Sequence, residues 1–387
     1  MKICMLCTNF PPDIGGIAAH VYELSRALVK LDNDVQVITL RRGFHDNKYQ
    51  EIDGIKVYRV YYPRLTVIGF FIYLLYVWPK LKRLIRKGDI DIIHAHTILN
   101  DALTAKSIGK ITKIQTEHSS DFLAAMEKGE HRRLYRWLLS HADHVIGTSQ
   151  ELVDTVIKLG IGQDKTSFIS NGIDIERFNP RVEGGEIREK HKIKTEEKII
   201  LCPRRLDLKN GVYYLIKAIP YIIQQSSNVK CLIVGDGLEM AELKQEVIKL
   251  VITDKVIFAG RVPNSDMPKY YAASDVVILP SLKEATSIAG LEAMATGKSL
   301  VGTNVGGIPQ IITHDKTGML VSPRNPEELA QAIVSLLNDD GKRAAMGLNA
   351  RKRAVSEFSW QIIAGKTQNI YDKVSHSKRA VSAQGRK

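Results

Sequence analysis

Cysteine is scarce in this chain. The four present, Cys4, Cys7, Cys202 and Cys231, all lie inside apolar runs that read as strands. Cys4 and Cys7 form a CxxC within Ile3-Cys4-Met5-Leu6-Cys7, with no second pair to complete a metal or redox site. Buried core thiols in a reducing, cytoplasmic setting follow. Long apolar runs are missing too: none reaches the roughly 20 residues that cross a bilayer. The N-terminal run is short and is broken by Pro11-Pro12-Asp13, unlike a signal peptide. Nucleic-acid motifs are absent, as is the aromatic and basic interleaving of single-strand binders. Acidic residues are the minority, 42 against 55 Lys and Arg, for a net charge of +13. With nucleic acid set aside, that excess suits anionic substrates or an anionic membrane face. At 387 residues the chain is too long for one ordinary core, so two domains are expected.

The chemistry concentrates between Ser281 and Gly297. An apolar run, Asp275 to Pro280, reads as a buried strand ended by proline. Small and apolar residues from Ser287 to Ala295 then read as a helix stopped by Gly297, with Thr286 or Ser287 as N-cap. The free amides at such a helix start suit a diphosphate. Glu284 lies in the loop before it. Glu292 lies inside it among apolar neighbours, where a buried, unpaired carboxylate costs several kcal/mol. Glu292 therefore needs solvent, a basic partner or a hydroxyl donor.

Earlier in the chain, the strand Ile3–Cys7 leads through Gly15-Gly16 into a helix. Glycine there lets a ligand approach the backbone. Further strands end at His94-Ala95-His96 and at Glu117-His118, and strand C-termini line the ligand crevice of doubly wound sheets. Leu65 to Trp78 is the most apolar stretch, flanked by Arg64, Lys80, Lys82, Arg83, Arg86 and Lys87. It reads either as a buried helix or as an interfacial patch on anionic lipid. The charged run from Arg181 to Lys198 reads as an exposed linker. Beyond it, Arg205 and Lys209 follow a strand and precede a helix, placed to grip a diphosphate. No DxD motif suits a metal there, and no covalent nucleophile stands out.

The Glu284–Glu292 spacing resembles the two-glutamate signature of retaining GT-B glycosyltransferases of family 4 (group 1). Other motifs are similar to that family's, in order, over nearly the whole chain. The resemblance implies an α/β GT-B fold: two Rossmann-like, doubly wound parallel-sheet domains facing across a cleft. Residues 1–180 would form the acceptor-binding domain and 181–359 the nucleotide-sugar domain. A C-terminal helix, 360–375, would pack back on the first domain, and 376–387 would be a disordered basic tail. His118, Arg205, Lys209 and Glu284 are implied as catalytic. Gly15, Gly16, Gly260, Val262, Thr286, Ser287, Ile288 and Glu292 are implied as donor-binding, with His118 and Glu284 at the donor sugar and His94 and His96 mainly structural. Departures from the family pattern are Thr286-Ser287 for an aromatic-glycine pair, Ser299 for proline and Gln310 for glutamate. The Arg205–Lys209 gap is also one residue short, with Arg204 adjacent.

The implied activity is transfer of a sugar from a nucleotide-diphosphate sugar to a glycan or lipid-linked acceptor, with retention and without metal or other cofactor. Cell-surface polysaccharide, lipopolysaccharide or glycolipid would be the product. A cytoplasmic protein, peripheral on the inner membrane face through 64–87 and binding no nucleic acid, would fit. The alternatives are an inactive sugar-nucleotide or glycan-binding protein and a nonhydrolysing epimerase of the same fold.

Overall fold

A computed structural model describes residues 1–13, 15–41, 48–61, 66–106, 111–118 and 120–384. It forms two compact units: Met1–Gly172 with Trp360–Lys387, and Ile173–Ser359.

The first unit runs β1 (Lys2–Leu6), α1 (Gly16–Val29), β2 (Asp34–Arg41), β3 (Tyr49–Ile52), β4 (Ile55–Tyr61) and α2 (Thr66–Arg86). It continues β5 (Ile92–Ala95), α3 (Ile98–Lys106), β6 (Thr112–Glu117), α4 (Ser120–Glu127) and α5 (Arg132–Ser140). Strand β7 (His144–Gly147), α6 (Gln150–Lys158) and β8 (Thr166–Phe168) complete it, with the C-terminal helix Trp360–Gln384. Its sheet has the order β3-β4-β2-β1-β5-β6-β7-β8; β3 is antiparallel to β4 and the other pairings are parallel. Both faces of this sheet are covered, so its strands read as near-continuous apolar runs. The strand period of two sorts them. Ile3, Met5 and Cys7 join the core under the C-terminal helix, while Cys4 and Leu6 join the core under α2. All four cysteines are free and buried, and burial pushes the Cys4, Cys7 and Cys202 thiols up to about 12.

Helix α2 packs one face on the sheet and leaves another exposed. Tyr73, Val77 and Leu81, four residues apart, are buried against the sheet. Phe71, Leu75 and Tyr76 remain 59%, 71% and 61% exposed. Arg64 and Leu65 lie outside the described residues. Among those described, no helix is long and apolar enough to cross a membrane.

The second unit begins earlier than expected, at Ile173 rather than residue 181. Ile173 and Phe178 are buried in its core, and the Ile173 amide donates to the Phe358 carbonyl at 2.8 Å. The 181–198 run is not a free linker either. It contains α7 (Gly185–Lys190), and Ile187 and Ile193 are buried in the same core. Next come β9 (Lys198–Pro203), α8 (Val212–Gln225), β10 (Val229–Val234), α9 (Met240–Lys249) and β11 (Val256–Gly260). Then follow α10 (Met267–Ala273), β12 (Val276–Leu279), α11 (Ile288–Ala295), β13 (Ser299–Thr303) and β14 (Gly318–Val321). The parallel sheet has the order β11-β10-β9-β12-β13-β14, so the winding reverses between β9 and β12.

The segment from His376, expected to be disordered, continues the C-terminal helix to Gln384; residues 385–387 lie outside the described residues. Side chains anchor that extension. Ser375 meets Thr112 at 3.0 Å, and Lys378 Nζ donates to the Ile111 carbonyl at 2.8 Å and to Asp143 at 2.6 Å. At the helix start the Trp360 ring lies where a Cβ on Gly172 would stand, 2.4 Å away, so only glycine fits.

Leu201 is fully buried in the middle of β9. Leu201→Ala should lower unfolding stability by about 2–5 kcal/mol, read as a drop in the urea midpoint.

Candidate active site

The loops after β9 and β12 meet at the winding reversal of the second unit, at the strand C-termini where doubly wound sheets open a crevice. Hydrogen bonds lock them together: the amides of Leu282 and Lys283 both donate to the Lys209 carbonyl, at 2.7 and 3.1 Å. Strand β9 ends at Pro203, and the next side chain, Arg204, turns inward. Its Nη1 lies 2.7 Å from Glu284 Oε2 and its Nη2 donates to Ser287 Oγ at 3.0 Å. Arg204 Nε is buried without a partner. Ser287 also caps α11, its Oγ accepting from the Gly290 amide at 3.2 Å. One hydroxyl thus ties the arginine to the helix start, whose free amides face the same mouth.

Glycine fixes the Glu284 loop from behind. Gly306 has φ +50, and a Cβ there would come within 1.8 Å of the Glu284 carbonyl oxygen. The neighbouring Gly307 amide donates to that carbonyl at 2.9 Å.

A cavity of about 670 Å³ opens beside these groups, with Arg204, Arg205, Gly235, Arg261, Val262 and Glu292 among its lining. Glu292 is buried on α11 and accepts a hydrogen bond from the Tyr271 hydroxyl at 2.7 Å. Burial raises its carboxyl to about 7, against the lowering effects of Tyr271, Arg177 and Arg204. At neutral pH it can therefore take a ligand hydroxyl either as acceptor or, protonated, as donor.

The arginine placed inward differs from expectation. Arg205 is 75% exposed along its side chain and pairs with Asp207 at 2.9 Å, at the cavity rim. Arg204 holds the interior position, because the chain leaves β9 at Pro203 and strand alternation no longer dictates which side chain faces inward. Lys209 is exposed next to the same loops. Thr286 and Ile288 are half-buried at the start of α11. Gly260 has φ +69, and its carbonyl accepts from the Gly235 amide at 2.9 Å, which sets the backbone leading to Val262. Tyr271 escaped sequence reasoning: it stands in α10 beside Tyr270 with nothing local to mark it.

In the first unit the winding reverses between β1 and β5, and the histidines gather there. Gly15 precedes α1, which begins at Gly16. His20 on α1 donates from Nδ1 to Asn171 Oδ1 at 2.6 Å, and its ring lies 4.4 Å from that of His118. His96 Nδ1 and His118 Nε2 are 3.1 Å apart, while His96 Nε2 is buried without a partner. His94 has both nitrogens engaged, by Tyr371 and Thr116, each at 2.6 Å. Burial lowers His20 to about 4 and His94 to about 3. Burial and mutual repulsion hold His96 and His118 well below the usual range. All four are neutral imidazoles at pH 7. Among the described residues, ligating atoms of His20, His96 and His118 come within 4.8 Å of one another. This group belongs to the first unit, not to the cavity of the second.

A model described as Glycosyltransferase Family 4 matches residues 14–177, and one described as Glycosyl transferases group 1 matches residues 184–353. The chain is 32% identical to an uncharacterized glycosyltransferase of Methanocaldococcus jannaschii, over 96% of this chain and 98% of that protein. It is 27% identical to one component of the phosphatidylinositol N-acetylglucosaminyltransferase of Arabidopsis thaliana, over 96% of this chain and 82% of that protein. Among solved structures it is similar to HepE of Anabaena in complex with UDP and glucose. There the TM-score is 0.75 and the identity 22%, over 96% of this chain and 99% of the other.

Because folding raises the Glu292 carboxyl from 4.5 to about 7, its contribution to stability is full below pH 4.5 and is lost as pH rises toward 7. Glu292→Gln should flatten that decline in a series of urea midpoints measured from pH 4 to 8.

Proposed function

The chain belongs to the family 4, group 1 glycosyltransferases of GT-B fold, and on that footing we propose that it moves a sugar from a nucleotide-diphosphate donor to a hydroxyl acceptor with retention of configuration. The observation that carries this reading is the set made by buried Arg204 and Ser287 with half-buried Glu284 at the winding reversal, with Glu292 in the adjoining cavity.

The nucleotide lies in the cavity of the second unit, its ribose hydroxyls on Glu292 and its base near Gly260 and Val262. The diphosphate rests on the first amides of α11, with Arg205 swung from Asp207 and Lys209 as counter-charges. Glu284, held by Arg204, accepts hydrogen bonds from the sugar. The bond between the anomeric carbon and the β-phosphate oxygen breaks through an oxocarbenium-like state, and the acceptor oxygen adds on the face the phosphate leaves. The acceptor proton passes to the departing phosphate oxygen, so charge and protons balance without a covalent intermediate. Fixed cations and amides then stabilise the charge growing on the diphosphate. They take the part a divalent metal would play, and the reaction needs none. His118 orients the donor sugar together with Glu284, and the first unit takes the acceptor.

We place the acceptor among glycans or lipid-linked glycans of cell-surface polysaccharide, lipopolysaccharide or glycolipid synthesis, and the protein on the inner face of the cytoplasmic membrane. The phosphatidylinositol in the Arabidopsis relative's name and the exposed aromatic face of α2 support that choice.

The test is a panel of UDP- and GDP-sugars, first by thermal shift and then by turnover with soluble and lipid acceptors. Glu284→Ala and Lys209→Ala should each cut turnover by about tenfold or more with the circular dichroism unchanged. Near-normal turnover in either would overturn the assignment, and binding without any turnover would favour an inactive sugar-nucleotide binder. Arg205→Ala should weaken nucleoside diphosphate binding about tenfold in a calorimetric titration, the loss expected for one charge-assisted hydrogen bond.

A further inference from the structure

The four histidines gathered in the first unit are of two kinds. His94 is saturated, with Tyr371 and Thr116 each at 2.6 Å on its two nitrogens. His20, His96 and His118 are not. His20 donates from Nδ1 to Asn171 at 2.6 Å, and a proton there makes Nε2 its lone-pair nitrogen. His96 and His118 share one contact, Nδ1 to Nε2 at 3.1 Å, and His96 Nε2 is buried with no partner. Buried polar atoms are normally satisfied, so an orphan nitrogen marks an arrangement that the chain alone leaves incomplete. One ligating atom from each of the three rings lies within 4.8 Å of the others. No other group of three ligating side chains comes so close among the described residues. The rings are carried on fixed backbone: His20 on α1, His96 after β5 with its amide on the Leu6 carbonyl at 3.0 Å, and His118 directly after β6.

We propose that His20, His96 and His118 bind one divalent transition-metal ion of the zinc class, and that the bound ion switches sugar transfer off. The donor set decides which ion. Three imidazoles suit zinc, cobalt(II), nickel or copper(II), whereas magnesium and calcium take oxygen ligands. The 3.1 Å between His96 Nδ1 and His118 Nε2 is close to the edge of a tetrahedral site, roughly 3.3 Å between nitrogens bound at about 2.0–2.1 Å. When the ion takes the place of that hydrogen bond, the ring that donated moves its proton to its other nitrogen, so none is lost. Asn171 holds His20 from behind, as outer partners orient metal-ligating imidazoles. Water fills the fourth position. The inhibitory half rests on the proposed reaction, in which His118 orients the donor sugar; a nitrogen bound to metal is withdrawn from that task.

Cobalt(II) tests the site without any catalysis. Added at one equivalent to the full chain, freed of any affinity tag, it should give the intense visible absorption of a tetrahedral ion, and zinc should displace it. The weak bands of octahedral cobalt would overturn the site, and this measurement needs no variant. In a calorimetric titration zinc should bind at one ion per chain, and magnesium should not bind. His20→Gln, His96→Gln and His118→Gln should each weaken zinc by more than about tenfold, the smallest loss typical even of an outer partner, with circular dichroism unchanged. His376→Gln, at an exposed ring on the C-terminal helix, should bind zinc as the parent does. Zinc binding that survives all three substitutions would place the ion on surface histidines and overturn the site. With a soluble acceptor, one equivalent of zinc should abolish glycosyl transfer and EDTA should restore it. Binding at the three histidines with transfer unaffected would overturn the switch alone. The cobalt spectrum and the titration read no turnover, so the site stands even if the chain proves an inactive sugar-nucleotide binder, and only the inhibitory half falls with that result.

Discussion

One ion pair, between the buried Arg204 and the half-buried Glu284, decides the shape of the second unit's ligand mouth. Burying a guanidinium is expensive, and removing its carboxylate partner leaves that charge uncompensated. The loop after β12 therefore cannot drift from the loop after β9 without a large loss. The surrounding features follow from that constraint. Gly306 lets the backbone behind Glu284 close up. Ser287 receives the second arm of the guanidinium while capping α11. The Lys209 carbonyl gathers the two amides of the neighbouring loop. A carboxylate so held needs no reorganisation when a polyhydroxylated ligand arrives, which is the form in which electrostatic groups contribute most.

The first unit solves the corresponding problem without charge. Its winding reversal collects four imidazoles, all neutral at pH 7 because burial and mutual repulsion disfavour the cation. A neutral imidazole offers one donor and one acceptor, and its tautomer is set by the partner at the other nitrogen. His20 is fixed by Asn171, and His94 is saturated by Tyr371 and Thr116. His96 and His118 share one contact and keep capacity for a polar ligand. One unit thus gathers fixed charges and amides, while the other gathers neutral donors and acceptors.

Much of this was legible in the chain. Runs such as Ile3–Cys7 and Lys198–Pro203 announced themselves because a sheet covered on both faces needs apolar residues at every position. The helix after Ser287 was visible from its cap and from Gly297. Strand β3 was not, since an antiparallel edge strand of Tyr-Gln-Glu-Ile buries little and needs no apolar pattern. The choice between Arg204 and Arg205 depends on how the backbone turns after Pro203, which neither composition nor spacing encodes. Residues 376–384 looked unstructured because they are polar. Their helix is held by Thr112, Ile111 and Asp143, contacts more than 230 residues away in the chain.

The first unit is discontinuous: its sheet comes from the first 172 residues, but one covering layer comes from Trp360 onward. Synthesis on the ribosome runs from the amino end, and domains generally fold as they emerge. Here that order inverts. The nascent first unit lacks the Trp360, Ile363, Ala364 and Tyr371 side chains that complete the core around Ile3, Met5, Leu24 and Ile114 until the segment from Trp360 leaves the exit tunnel. The inserted second unit has all its layers in one stretch and can condense first. The length of the inserted unit thus sets how long that core stays incomplete during synthesis.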